Sequence, residues 1–205
     1  MAKSIMYRWR SRLTATLSGI ALAGVASVAS AGLITVDVSG VESNGPQGDP
    51  LNTTITVDLA AELGAASGTQ VNVDGLGWDV TIEAFTPSWL SEATVAFDNS
   101  AGTTQLNLTP GAGDDLPGVG TYSSGGIIDL STVSPGLNFS LSDGVLVLEF
   151  FDSFDDGLDP EAIWRSGTLT IEAFAGDVDV PAPAAIVLLA TGLFGVALRR
   201  RRRKV

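Results

Sequence analysis

Leu76-Gly-Trp-Asp-Val-Thr-Ile-Glu-Ala-Phe85 sets Trp78, Val80, Ile82 and Ala84 on one side and Asp79, Thr81 and Glu83 on the other. A period of two is the spacing of a strand with one face buried and the other wet. The pattern recurs in Leu33–Val38 and in Thr53–Leu59, where Ile55, Val57 and Leu59 oppose Thr54, Thr56 and Asp58. Shorter runs at 94–98, 104–109, 127–130, 137–141 and 168–174 predict further strands. Val145-Leu-Val-Leu-Glu-Phe-Phe151 is apolar on both faces except at Glu149, which predicts a central strand covered on both sides. Ser43 to Pro50 is a loop by composition, and Ala60 to Ala66 has room for one or two helical turns before Gly64 and Gly68 limit it. Gly, Pro, Asn, Asp and Ser punctuate the runs, so the fold class is all-β: an antiparallel β-sandwich, jelly-roll or immunoglobulin-like. Thr81-Ile-Glu-Ala-Phe85 recurs as Thr170-Ile-Glu-Ala-Phe174 with no repeat period around it. Duplicated strands and shared strand-favouring composition both account for the echo.

Charge divides the chain. All 23 carboxylates fall between Gly32 and Val180, where Arg165 is the only basic residue. Such a surface repels phosphate and excludes nucleic acid as a partner. It suits an aqueous exterior, solvates the domain, and attracts divalent cations. About 150 residues is enough for one domain with a core of its own. There is no cysteine and no histidine. Thiolate chemistry, His-ligated zinc and histidine-based triads are therefore excluded.

Both ends are apolar with basic flanks. Lys3, Arg8, Arg10 and Arg12 precede an apolar run from Leu13 to Val28 that closes on Ala29-Ser30-Ala31. This is the tripartite form of a signal peptide, residues 1–31, with signal peptidase expected to cut between Ala31 and Gly32. At the other end Val180-Pro181-Ala182-Pro183 leads into an uncharged run from Ala184 to Leu198, and Arg199, Arg200, Arg201, Arg202, Arg203 and Lys204 follow. As a helix the run covers roughly 22 Å against a ~30 Å hydrocarbon core, so a span requires snorkelling arginines or a thinned bilayer. Positive flanks stay in the cytoplasm, which puts the acidic middle, residues 32–179, outside. The expected plan is thus a signal helix, one sandwich, and a transmembrane sorting tail over 180–205.

The order Val-Pro-X-Pro, short apolar helix and terminal Arg cluster resembles the PEP-CTERM sorting signal, also known as the ice-binding protein C-terminal domain. Ala182 stands where that motif has glutamate. The resemblance implies an exosortase as processing partner and an exported protein that is membrane-anchored before processing. Three further stretches are similar to the extracellular domain of many exported PEP-CTERM proteins: Gly77–Thr81 with Pro87–Ser91, Gly113–Gly126, and Leu148–Asp156 with Trp164–Ile171. The last of them is also similar to the closing strands of the P domain of proprotein convertases, a β-sandwich.

Asp152-Ser-Phe-Asp-Asp-Gly-Leu-Asp-Pro-Glu161 holds five carboxylates around a glycine, the hard oxygen set that calcium takes. Phe154 and Ile163 occupy ligand positions of the EF-hand pattern, so the candidate is a sandwich-edge site of Asp152, Asp155, Asp156 and Asp159. No other cofactor is expected. Gly118-Val-Gly-Thr-Tyr-Ser123 falls short of a phosphate loop and is expected to be a mobile turn. Asp114 with Asp115, or Glu149 with Asp152, make carboxylate pairs of the glycosidase kind, but pairs arise by chance at this acidity, and no enzyme is expected. Trp78, Trp89, Trp164 and Tyr122 are the aromatics able to stack on sugars, Trp89 being the surface candidate. The sequence thus predicts a non-enzymatic surface or matrix protein, with an extracellular polysaccharide- or calcium-binding module as the alternative.

Overall fold

The structure, a computed structural model, describes residues 30–133 and 136–176. Eleven strands and one helical turn make up the domain: β1 (Ser30–Asp37), β2 (Val41–Ser43), β3 (Thr53–Asp58), α1 (Leu59–Glu62), β4 (Val71–Ala84), β5 (Ala93–Asn99), β6 (Thr104–Leu108), β7 (Gly118–Ser123), β8 (Ile128–Asp129), β9 (Phe139–Leu141), β10 (Val145–Asp152) and β11 (Ala162–Ala175). One sheet runs β1-β11-β4-β7, with β2 beside β11 and β8 and β9 beside β4; the other runs β3-β10-β5-β6. All named pairs are antiparallel. Ile82, Trp164, Leu169 and Ile171 of the first sheet and Val95, Phe97, Leu146, Leu148 and Phe150 of the second form one core. The Phe150 and Trp164 rings meet edge to face at 5.0 Å across it.

Taken in chain order, the eight principal strands are β1, β3, β4, β5, β6, β7, β10 and β11. The first, eighth, third and sixth share one sheet, and the second, seventh, fourth and fifth share the other. This interleaving is the jelly-roll order, in which the chain wraps both sheets together, and it excludes the immunoglobulin-like alternative.

Register fixes two poles. Ser30 pairs with Ala175, and Gly176 N–H donates to Gln70 O at 2.9 Å, so the domain's first and last strands end side by side. The connections 44–52, 85–92, 109–117 and 153–161 meet at the opposite pole, where Ala162 pairs with Ala84 and Asp152 with Ala93. The two copies of Thr-Ile-Glu-Ala-Phe lie in neighbouring strands. Asp79 pairs with Thr168, and Thr81 and Thr170 each stand two residues beyond that pair in opposite directions. A local two-fold through Asp79 and Thr168 therefore exchanges the copies and sets β1 and β7 on matching flanks.

Several expectations are corrected. Gly118–Ser123 is strand β7, paired with β4, and no mobile turn. Loop 43–50 is entered through β2, which adds to the edge of β11. β4 starts five residues before the predicted run. β10 is central, but its outer face is only partly covered: Val145, Val147 and Glu149 are half-buried, and Gly48 N–H and Asn52 Nδ2 donate to Glu149 Oε1. Among the described residues no helix is long and apolar enough to cross a membrane. The expected signal helix and transmembrane helix lie outside them, as do Ala29, Val180, Pro181, Ala182, Pro183, Ala184, Leu198, Arg199, Arg200 and Arg201. Gly32, expected to follow the cut bond, is the third residue of β1.

Candidate functional site

Alternation along β10 sends Leu146, Leu148 and Phe150 into the core, and Asp152 continues the same face at the point where the core runs out. Asp152 is fully buried, and burial pushes its carboxyl up to about 7. Ser88 Oγ, from the β4–β5 loop, donates to Asp152 Oδ2 at 3.0 Å and also lies 3.4 Å from Glu92 Oε2. One hydroxyl thus faces two carboxylates, and the Glu92 and Glu161 charges both raise Asp152 further.

Glu161 is buried as completely. Its Oε1 gathers the backbone N–H groups of Asp156 at 2.6 Å, Gly157 at 3.0 Å and Leu158 at 3.5 Å, while Oε2 has no partner. Burial raises its pKa too. Glu161 N–H donates to Ser43 O and Asp152 N–H to Asn44 O, so β2 and the residues after it lie between the two acids. Asn44 is 3% exposed; its Nδ2 donates to Leu51 O at 2.6 Å and its Oδ1 has no partner. Arg165, the only basic residue among the described ones, pairs with Glu83 on the outer face of the first sheet.

The four predicted ligands are not brought together. Asp152 points inward, Asp155 and Asp159 are exposed, and Asp156 is half-buried. Among the described residues no three acidic side chains stand close enough to make a metal site by themselves. Glu149 and Asp152 lie on opposite faces of β10, Asp114 accepts from Tyr122 OH at 2.8 Å, and Asp115 accepts from Ser91 Oγ at 2.8 Å. Of the aromatics, Trp164 is fully buried, Trp78 packs against the core, and Tyr122 is half-buried with its hydroxyl raised to about 12, chiefly by burial. Of these four candidates Trp89 is the exposed one, at 44%.

Above the buried acids, each of the four loops presents one large apolar side chain to water: Leu51, Trp89, Leu116 and Phe154. Leu90 N–H to Leu116 O and Ser153 N–H to Glu92 O, both at 3.0 Å, bind three of these loops to one another. A separate cleft of about 430 Å³ lies on the first sheet's outer face, where the turn at 124–127 crosses Gly75 and Gly77. Sequence reasoning missed Ser88, Glu92 and Asn44. Asp152 was expected as a loop ligand, and the structure instead places it at the end of the core-facing side of β10.

Residues 179–203 match the family described as the PEP-CTERM protein-sorting motif. The chain carries a PEP-CTERM sorting tail. PEP-CTERM tails mark exported proteins handled by exosortase, and the pole from which Ala175 leaves is therefore the pole that carries the address. Among curated proteins, none matches the sequence. The fold is similar to the VP2 subviral particle protein of infectious bursal disease virus, at 13% identity and a TM-score of 0.31 over 74% of this chain and 34% of that one. A desmodium yellow mottle tymovirus structure is similar at 13% identity and a TM-score of 0.27, over 84% of this chain and 98% of that one. The chain spans about a third of the length of the first.

Proposed function

We propose that the protein is an exported, non-enzymatic surface or matrix domain, held at the membrane by its C-terminal tail until exosortase acts, with its four-loop pole turned outward as the contact face. The observation that carries this reading is the pairing of β1 with the end of β11, Gly32 standing opposite Ala173. It sets the first residue after the expected cut and the end of β11 at one pole, with Leu51, Trp89, Leu116 and Phe154 exposed at the other. The chain has no cysteine, so single-cysteine variants are unambiguous reporters. In intact cells L116C is expected to react with a membrane-impermeant maleimide. Labelling only after lysis, with the full-length chain in the cytosol, would overturn the proposal.

A carbohydrate-binding role at the same pole is favoured by one observation, the exposed Trp89 ring standing on a carboxylate- and hydroxyl-rich loop. Ring stacking with polar groups at the rim suits a sugar face. Retention of the full chain on immobilised polysaccharide is expected to fall about tenfold in W89A. Equal retention of W89A and wild type would remove this second reading.

A further inference from the structure

The sandwich is open along one side. Among the described residues β1 has β11 on one flank and no strand on the other, and β3 pairs only with β10. Hydrogen bonds just past each strand fix which backbone groups face the open side. Val38 N–H donates to Gly167 O at 3.1 Å, so alternation in the antiparallel ladder aims Val36 and Ile34 at β11 and turns the N–H and C=O of Leu33, Thr35 and Asp37 outward. Leu59 N–H donates to Gly144 O at 2.9 Å, which by the same rule turns Thr54, Thr56 and Asp58 away from β10. The two edges share one cleft of about 470 Å³, with Leu33, Thr35 and Asp37 on one wall and Thr56, Asp58 and Glu62 on the other. Natural edges are commonly blunted by lysine, proline or a bulge. β1 carries none of these: Ser30–Asp37 runs in unbroken register, and Leu33 is 61% exposed. The rim has one sign. Asp37, Asp58 and Glu62 line it with no basic side chain, and hydrogen bonds from Ser39 to Asp37 and from Ser67 to Asp58 hold both carboxyls below the ordinary range, so they stay charged.

We propose that the cleft between β1 and β3 receives an extended basic segment of a partner protein, which adds to the first sheet as a strand beside β1. Its backbone meets the outward N–H and C=O groups of Leu33, Thr35 and Asp37, and β3 forms the other wall. Alternate side chains of the segment bring lysine or arginine to Asp37, Asp58 and Glu62. The alternating donors and acceptors of an open strand edge select a polypeptide over a polysaccharide. A second copy of this domain would set carboxylates against carboxylates, so the charge selects a different chain. The cleft is separate from the four-loop pole, and W89A is expected to leave it intact.

The test is calorimetric titration of the full chain, in non-ionic detergent, with an end-blocked octapeptide of alternating lysine and valine. Wild type is expected to bind it and to ignore both the glutamate–valine counterpart and the fully N-methylated lysine–valine peptide, which has no backbone donor. T35P removes an outward N–H and takes nothing from the ladder with β11, so it is expected to fold and to bind about tenfold more weakly. D37N, which leaves the backbone edge untouched, is expected to weaken binding about threefold at low salt and guards against misfolding of the proline variant. No binding by wild type at about 1 mM peptide overturns the proposal. Equal affinity in T35P and wild type, or for the N-methylated peptide, would mean general attraction to the acidic surface and overturns it as well. A wild-type dimer that T35P dissociates would give the edge to a second copy, with the same result.

Discussion

Ser88 has one proton to donate and two carboxylates within reach of it. The domain therefore favours a proton on Asp152 in mildly acidic solution, since burial has raised its carboxyl to about 7. A carboxyl that is more basic folded than unfolded stabilises the fold below its unfolded pKa, and that contribution is lost as pH rises through the folded value. Glu161 shifts in the same direction. Stability should fall by about 2–3 kcal/mol from pH 5 to pH 8, at about 1.36 kcal/mol per pH unit of the window. Denaturant midpoints would register the fall, and D152N should flatten most of it; a wild-type profile that is flat or rises with pH contradicts the protonated-acid account. Gly167 offers a sharper residue test. Its φ is +119°, and a Cβ there would lie 2.1 Å from Asp79 O and 2.7 Å from Val80 Cα, both in the backbone of β4. G167A should cost more than about 3 kcal/mol, read by urea unfolding. At this scale the sequence disclosed Asp152 only as a member of the acidic run 152–161, and its burial against Ser88 depends on a contact between residues 64 positions apart. No local pattern encodes that contact.

Among the elements, the long strands were legible because their buried faces are Val, Ile, Leu and Trp at every second position. β7 was not, because its pattern is inverted. Gly118 and Gly120 face inward with Tyr122, and Val119 faces out at 64% exposure. The reason is steric: the Tyr122 ring lies back over Gly120, where a Cβ would be 2.2 Å from its hydroxyl oxygen. The first half of β4 was hidden by Asp74-Gly75, which looks like a hairpin turn. It is a bulge, since Val73 pairs with Ala173 and Gly75 with Glu172, leaving Asp74 as the extra residue. Gly77 belongs to the same story. A Cβ there would lie 2.9 Å from Gly126 O and 3.0 Å from Ile127 Cδ1, so only glycine lets the 124–127 turn lie on the sheet. G77V should leave the sandwich folded but release that turn, and limited proteolysis should then cut within 123–127 faster than in wild type. Unchanged cleavage there would show that the turn does not depend on this close approach.

For the whole molecule, the wrap of eight strands over two sheets was within reach of the sequence only as far as the word sandwich. Which strands neighbour which is set by long-range pairing, such as β1 on β11, that periodicity does not carry. The charge, by contrast, was fully legible. With 23 carboxylates and 11 basic residues, ten of the latter outside the described domain, the folded body repels itself. Raising sodium chloride from 50 to 500 mM, with chelator present, should lift the melting temperature by about 2–5 °C through screening. A melting temperature that drops with salt would assign the stability to ion pairing instead.

The side-by-side exit of β1 and β11 has a mechanical side. If the tail is gripped by the membrane while the far loops hold a polymer, tension enters along the axis of β11, parallel to its ladder with β4. All thirteen backbone pairs of that ladder then bear load together, whereas a pull across the sheet would unzip them one by one. A jelly roll strung in this direction would act as a tie-rod, resisting drag in shear.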